Sequence, residues 1–188
     1  MTFDAIVLAG GSARRLGGID KPALVVGART LLDAVLDAVA DAGRAVVVGP
    51  ERPVARPVVW AREDPPGGGP VAALAAGLPL VTAPLVALLA ADLPFLTADV
   101  VDQLVRAADG HDGALLVDQS GREQVLLGVW RTQALRGAVP ESPAGARVSQ
   151  VLGGLDAVRV MAAETTDGPP PWFDCDTDED LMTARGTA

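Results

Sequence analysis

Short unbroken apolar runs alternate along the chain with stretches whose apolar residues recur at helical spacing. Segment 4–10 is apolar from Ala5 to Ala9 and stops at Gly10-Gly11, the character of a strand buried on both faces. Over 29–43, Leu32, Val35, Leu36 and Val39 line one side of a helix. Asp33, Asp37 and Asp41 line the other, and Gly43 ends it. Segments 44–49 and 56–64 predict two further strands, and 69–81 predicts a helix entered through Gly67-Gly68-Gly69-Pro70. Segment 84–92 predicts a central buried strand, and 97–109 a helix with Thr97 as its N-cap. Strands at 112–118 and 125–131 are joined by a turn across Asp118–Glu123. Beyond residue 132 the pattern predicts a helix over about 143–153, a strand at 157–161, a Pro-rich loop at 168–171 and a helix from Asp178. Such alternation predicts a three-layer α/β domain with a mostly parallel sheet. No repeat or linker divides the pattern, so residues 1–188 read as a single domain.

Composition narrows the function. The apolar residues are Ala, Val and Leu, with no Tyr, three Phe and three Trp, so the chain lacks the aromatic platforms on which unpaired bases stack. A formal charge of −9 opposes binding to nucleic acid or to an anionic membrane, yet leaves room for one small anion in a local basic pocket. Cys175 is the only cysteine, which excludes an internal disulfide and a Cys-rich zinc site and suits a reducing cytoplasm. The most apolar stretch, 84–96, is too short to span a bilayer and contains Asp92 and two prolines. Asp4 and Gly10-Gly11 interrupt any leader-like run, so the expectation is a cytoplasmic protein with no nucleic-acid or membrane partner.

Against that acidic body, the loop after the first strand carries Arg14, Arg15 and Lys21. Glycines let backbone N–H groups turn toward one point and let a phosphate approach without a Cβ in the way, and the three cations add charge for a triphosphate. Pro22 should hold Lys21 in an extended conformation. Neither the dinucleotide fingerprint G-x-G-x-x-G nor the P-loop G-x-x-x-x-G-K-[ST] is present. Three acidic segments complement the loop. Asp92 stands at the end of the apolar run 84–91, at a strand's carboxyl edge. Asp174 and Asp176 alternate on an extended segment and so share one side, ahead of a T-x-x-D cap from Thr177 to Asp180. Asp64 precedes a Gly/Pro loop that opens a helix able to face an anion.

The run L-A-G-G-x-x-x-R-x-G-G-x-D-K over 8–21, with Asp92-Leu93-Pro94 and the acidic segment 174–176, resembles the signature of nucleotidyltransferases with a glycosyltransferase-A-like fold. Among them it is most similar to the molybdenum cofactor guanylyltransferases, and the resemblance extends over nearly the whole chain. It implies a three-layer α/β/α Rossmann-like domain that transfers GMP from GTP to the phosphate of molybdopterin and releases pyrophosphate. It implies that the backbone of Leu8, Ala9, Gly10 and Gly11 contacts base and phosphates, and that Arg15 and Lys21 hold the triphosphate. Asp64 would reach the nucleotide, while Asp92, with Asp176 or Asp174, would hold Mg²⁺. Gly49 occupies the guanine-pocket position where Asn is usual, and Asp178 the place of a usual proline. Arg122, Gln124 and Arg147 would face the pterin phosphate, with Gln124-Val125 where a His-Pro pair is common. Other cofactor-biosynthesis proteins or recipient molybdoenzymes are implied as transient partners. A cytidylyltransferase for the same cofactor, a nucleotidyltransferase for another phosphorylated small molecule and a non-catalytic nucleotide-binding protein are the alternatives. Gly10-Gly11 leans toward guanine, and Asp64, Asp92, Lys21 and Asp176 together lean toward catalysis. His111 reads as a solvated loop residue, and Trp60, Trp130 and Trp172 as packing residues.

Overall fold

The computed structural model describes residues 1–10, 19–163 and 168–187. In chain order its elements are β1 (Phe3–Leu8), β2 (Val25–Val26), β3 (Arg29–Thr30), α1 (Leu31–Ala38), β4 (Ala45–Val48), β5 (Val59–Ala61) and α2 (Pro70–Gly77). They continue as β6 (Leu85–Ala90), α3 (Ala98–Ala107), β7 (Gly113–Val117), β8 (Glu123–Arg131), α4 (Thr132–Ala138), α5 (Val148–Leu152), β9 (Ala157–Met161) and α6 (Asp178–Thr187). Among the described residues the central sheet has the order β5-β4-β1-β6-β8-β7-β9, and only β8 runs against its neighbours. The mostly parallel three-layer expectation therefore holds. All six residues of β1 are buried, because it has a strand on each side and a helical layer on each face.

One face of the sheet is covered by α1 and α3 through Leu32, Val35, Leu36, Val101 and Leu104. The other is covered by α2, α4 and α5 through Val71, Leu74, Leu135, Val148 and Val151, with Trp130 fully buried among them. Each such side chain contributes roughly 1.5–3 kcal/mol by leaving water. Gly77 lets α2 lie close to β1, since a Cβ there would stand 3.2 Å from Ile6 Cγ2. Asp4, 2% exposed, is not a leader-breaking accident. Its carboxylate accepts bonds from the backbone N–H groups of Thr82 (2.7 Å) and Ala83 (2.9 Å) and so fixes the entry to β6. A third cluster, Val26, Leu31, Cys175, Leu181 and Ala184, pins the late segment of the chain beside the β2–β3 hairpin.

Several boundaries differ from the periodic reading. Arg29 and Thr30 pair with Val26 and Val25 across a turn in which Gly27 takes φ 60°, so α1 begins at Leu31 with Thr30 as its cap. The remaining apolar positions toward Gly43 continue as tighter i→i+3 turns, with Val39 N bonded to Leu36 O and Ala40 N to Asp37 O. Residues 78–80 likewise tighten into a 3-10 turn, and only 59–61 of the segment 56–64 pair as strand. The helix expected over 143–153 is confined to α5, while β9 spans 157–161 as expected. Thr97 precedes α3, but its hydroxyl makes no capping bond. The α4 helix and the β2–β3 hairpin carry no periodic signal in the sequence.

Candidate functional site

The carboxyl ends of β1, β4, β5 and β6 meet at one edge of the sheet, where open α/β sheets place ligands. The end of β1 is gripped from both sides: Ala9 N donates to Val48 O at 2.8 Å and Ala91 N to Leu8 O at 3.2 Å. Leu8 and Ala9 are buried and Gly10 is exposed, so the chain surfaces at the first glycine. Gly11, Arg14 and Arg15 lie outside the described residues. Lys21 opens a 3-10 turn with Pro22 rather than an extended segment, because Ala23 N bonds back to Asp20 O.

Lys21 Nζ donates to Asp92 Oδ2 at 2.5 Å and to Asp176 Oδ1 at 2.6 Å. Three separate parts of the chain thus converge on one ammonium. Asp92 is placed two residues beyond β6. Asp176 is placed by its neighbour: Cys175 is fully buried in the third cluster and its N–H donates to Asp92 O at 3.3 Å. In an extended segment the residues on either side of an inward Cys175 point the other way, so the alternation of Asp174 and Asp176 has the expected effect. Phe95 and Phe173 stack edge to face at 5.8 Å and hold the same segment to the loop after β6. The cap from Thr177 to Asp180 forms, with Asp180 N donating to Thr177 Oγ1 at 3.1 Å, and fixes the start of α6.

Burial opposes the Lys21 ammonium, but Asp92 and Asp176 outweigh it, so its pKa lies above 10.5. Asp174 is pushed above 3.8 by burial and then by repulsion from Asp176 and Asp92, against the pull of Lys21. Burial pushes the Cys175 thiol up to about 12, which leaves it neutral and unreactive. Among the described residues, the carboxylates of Asp92, Asp176 and Asp174 lie around the Lys21 ammonium, and the Asp92 and Asp176 oxygens that hold it are of the kind a divalent cation takes. One or two carboxylates are what a small hard divalent ion takes from a protein when substrate phosphates and waters complete its shell. No group of three or more His, Cys, Asp or Glu side chains converges into a closed cage among the described residues.

Gly49 closes the β4 side of the same edge. Its φ is 154°, and a Cβ there would stand 2.6 Å from Ala9 O, so no side chain is admitted. Arg52, which the sequence reading did not single out, reaches back over this point. Its Nη1 donates to Ala9 O at 3.3 Å and its Nη2 pairs with Asp20 Oδ1 at 3.1 Å. The loop carrying it is tied to α1 by the bond from Ala55 N to Asp33 Oδ1. Asp64 is exposed just past β5, and its neighbour Glu63 turns toward the loop instead. Glu63 Oε1 accepts from Gly67 N at 3.0 Å, and Oε2 stands 3.9 Å from where a Gly10 Cβ would be.

Gln124 and Arg122 lie at the same sheet edge, on the hairpin between β7 and β8. Asp118 organises that turn, accepting from Ser120 N, Arg122 N and Gln124 Nε2. Arg147 stands exposed before α5, in a loop joined to the Gly67–Gly69 turn through Gly145 N and Gly68 O. His111 is partnered, with Nδ1 2.9 Å from Asp156 Oδ2. Trp60 and Trp172 pack against the first core cluster. Among the described residues no helix is long and apolar enough to cross a membrane.

Residues 5–159 match the family described as the MobA-like NTP transferase domain. The chain is 32% identical to a molybdenum cofactor guanylyltransferase of Bradyrhizobium sp. (strain ORS 278), over 97% of this chain and 92% of the relative. Its fold is similar to the crystal structure of 2-C-methyl-D-erythritol 4-phosphate cytidylyltransferase from Thermus thermophilus, with TM-score 0.75, 22% identity and coverage of 99% and 98% of the two chains. It is also similar to molybdopterin-guanine dinucleotide biosynthesis protein A from Archaeoglobus fulgidus, with TM-score 0.72, 19% identity and coverage of 97% of each chain.

Proposed function

The chain belongs to the MobA-like NTP transferase family, and from that premise we propose that it transfers GMP from GTP to the terminal phosphate of molybdopterin. The guanylyl group and the molybdenum cofactor are those in the name of the Bradyrhizobium relative. The observation that carries the reading is the convergence of Lys21, Asp92 and Asp176 near the end of β1.

Asp92 and Asp176 hold Mg²⁺ in this reading, with Asp174 as a neighbouring charge. The ion supplies neutralisation of the α-phosphate and of the departing pyrophosphate. Lys21, displaced from the two carboxylates, delivers its ammonium to the triphosphate together with Arg15. The backbone from Leu8 to Gly11 receives base and phosphates, Gly49 leaves space beside them, and Asp64 contributes from the β5 side. An oxygen of the acceptor phosphate forms the new bond to the α-phosphorus as the bond to the β-phosphate bridge breaks. The electron pair leaves with pyrophosphate. A phosphate nucleophile is already ionised, so the protein's work is positioning and charge stabilisation with no covalent intermediate. Residues 1–188 act as one catalytic domain in the cytoplasm, and Arg122, Gln124 and Arg147 meet the acceptor.

Pyrophosphate release with molybdopterin and GTP, run beside molybdopterin and CTP, tests the reading. Release with GTP alone is expected. Release with CTP alone would move the protein to the cytidylyl reaction, and release with neither would end the assignment.

A further inference from the structure

We propose that Arg52 reads the guanine base, through the two acceptors O6 and N7 that guanine presents on one edge; this rests on the GTP reading above. Position 49 cannot do so, since even a Cβ there would meet Ala9 O at 2.6 Å. Arg52 arrives at the same carbonyl from three residues further on, at 3.3 Å.

Its burial is what sets it apart. The side chain is 7% exposed, yet Nε has no hydrogen-bond partner among the described residues. Its ion pair is with Asp20, which is itself 53% exposed, and burial pulls its pKa down against that charge. A buried guanidinium N–H left unpaired is costly, so the protein alone does not satisfy the donors of this side chain.

The sheet order says which part of a nucleotide would fill it. β1 has β4 on one side and β6 on the other. Lys21 and Asp92 lie on the β6 side, and Arg52 comes from the loop after β4. The Arg52 guanidinium itself stands over the end of β1, on Ala9 O at 3.3 Å and beside Asp20 Oδ1 at 3.1 Å. A nucleotide with its phosphates at Lys21 therefore crosses the end of β1 and brings its base to Arg52. The planar fork of an arginine matches two adjacent acceptors, which guanine offers. Adenine pairs an acceptor with a donor on that edge and would set N–H against N–H.

The test measures dissociation constants of GTP, 7-deaza-GTP and CTP for the wild-type chain, Arg52→Lys and Arg52→Ala, with melting temperature as the fold control. The wild type should bind GTP about ten- to hundredfold more tightly than 7-deaza-GTP, which lacks the N7 acceptor. Arg52→Lys, which keeps the charge and loses the fork, should bind the two nearly alike. Arg52→Lys carries the test if Arg52→Ala does not fold. A GTP/7-deaza-GTP ratio undiminished in Arg52→Lys would overturn the inference while leaving GTP as donor. Equal losses for GTP, 7-deaza-GTP and CTP would also overturn it, by making Arg52 a phosphate contact or a loop tether. A wild type that prefers CTP would overturn the GTP reading and this inference together.

Discussion

Replacing Lys21 by Met removes the ammonium that Asp92 and Asp176 share while keeping the length and apolar stem of the side chain. Two unit charges about 4 Å apart interact by about 4 kcal/mol at an effective dielectric constant of 20. Lys21 and Asp92 are 14% and 21% exposed and approach that regime, whereas Asp176 at 48% is screened by water. The net contribution of one charge-assisted contact to a bound triphosphate is about 1.5–3 kcal/mol. That predicts kcat/KM for GTP about ten- to hundredfold lower. A second measurement should move the other way. In the nucleotide-free protein Lys21 fills the position a divalent ion needs, so Lys21→Met should bind Mg²⁺ more tightly, on the order of tenfold by the same energy. Pyrophosphate release gives the first quantity and calorimetric titration with Mg²⁺ gives the second. Weaker or unchanged Mg²⁺ binding in the variant would refute the idea that lysine and metal compete for one place.

Asp92→Asn should still fold, because the backbone bond from Cys175 N to Asp92 O survives, and should lose more than about a hundredfold in pyrophosphate release; wild-type turnover would move the cation elsewhere. Asp174 has a folded-state pKa raised above 3.8, so the folded chain binds its proton more tightly and loses stability as pH rises from 3.8 through the raised value. Asp174→Asn should therefore melt above the wild type at pH 7, with the difference closing below about pH 3.8; a constant difference across that range would contradict it. Gly49→Ala should cost about 1–3 kcal/mol from a Cβ held 2.6 Å from Ala9 O at φ 154°, a drop in Tm of about 2–12 °C; an unchanged Tm would show that the approach of β4 to β1 is slack.

Hydrophobic patterning exposed the sheet because its central strands are buried on both faces, and β7 needed no tertiary information to locate. It failed where burial is one-sided and short. In α4 only Thr132 and Leu135 are buried, too few positions to establish a helical period. The β2–β3 hairpin has two residues per strand, below the length at which alternation can be read. The site divides in the same way. Asp92 and Asp176 were legible because each is placed by its own local pattern, a strand end and an alternation against Cys175. Arg52 was not, since among the prolines and arginines of residues 50–57 nothing local distinguishes the one that turns inward. Its role depends on Ala9 and Asp20, 43 and 32 positions away in sequence.

The reversed strand β8 gives the sheet edge two halves of different adaptability. On the β1, β4 and β6 side each loop runs into an element that must pack on the sheet, so a change of loop length is transmitted to the core. On the β8 side two strands return through the turn at Asp118–Arg122, which is held by its own Asp118 bonds. The pairing of Leu89 with Leu127 and of Ala114 with Val129 lies below that turn and does not depend on its length. Residues can be added or exchanged there without moving Asp92 or the end of β1. The β8 half of the edge is thus free to drift, while the half around the end of β1 is fixed by the same packing that makes the protein fold.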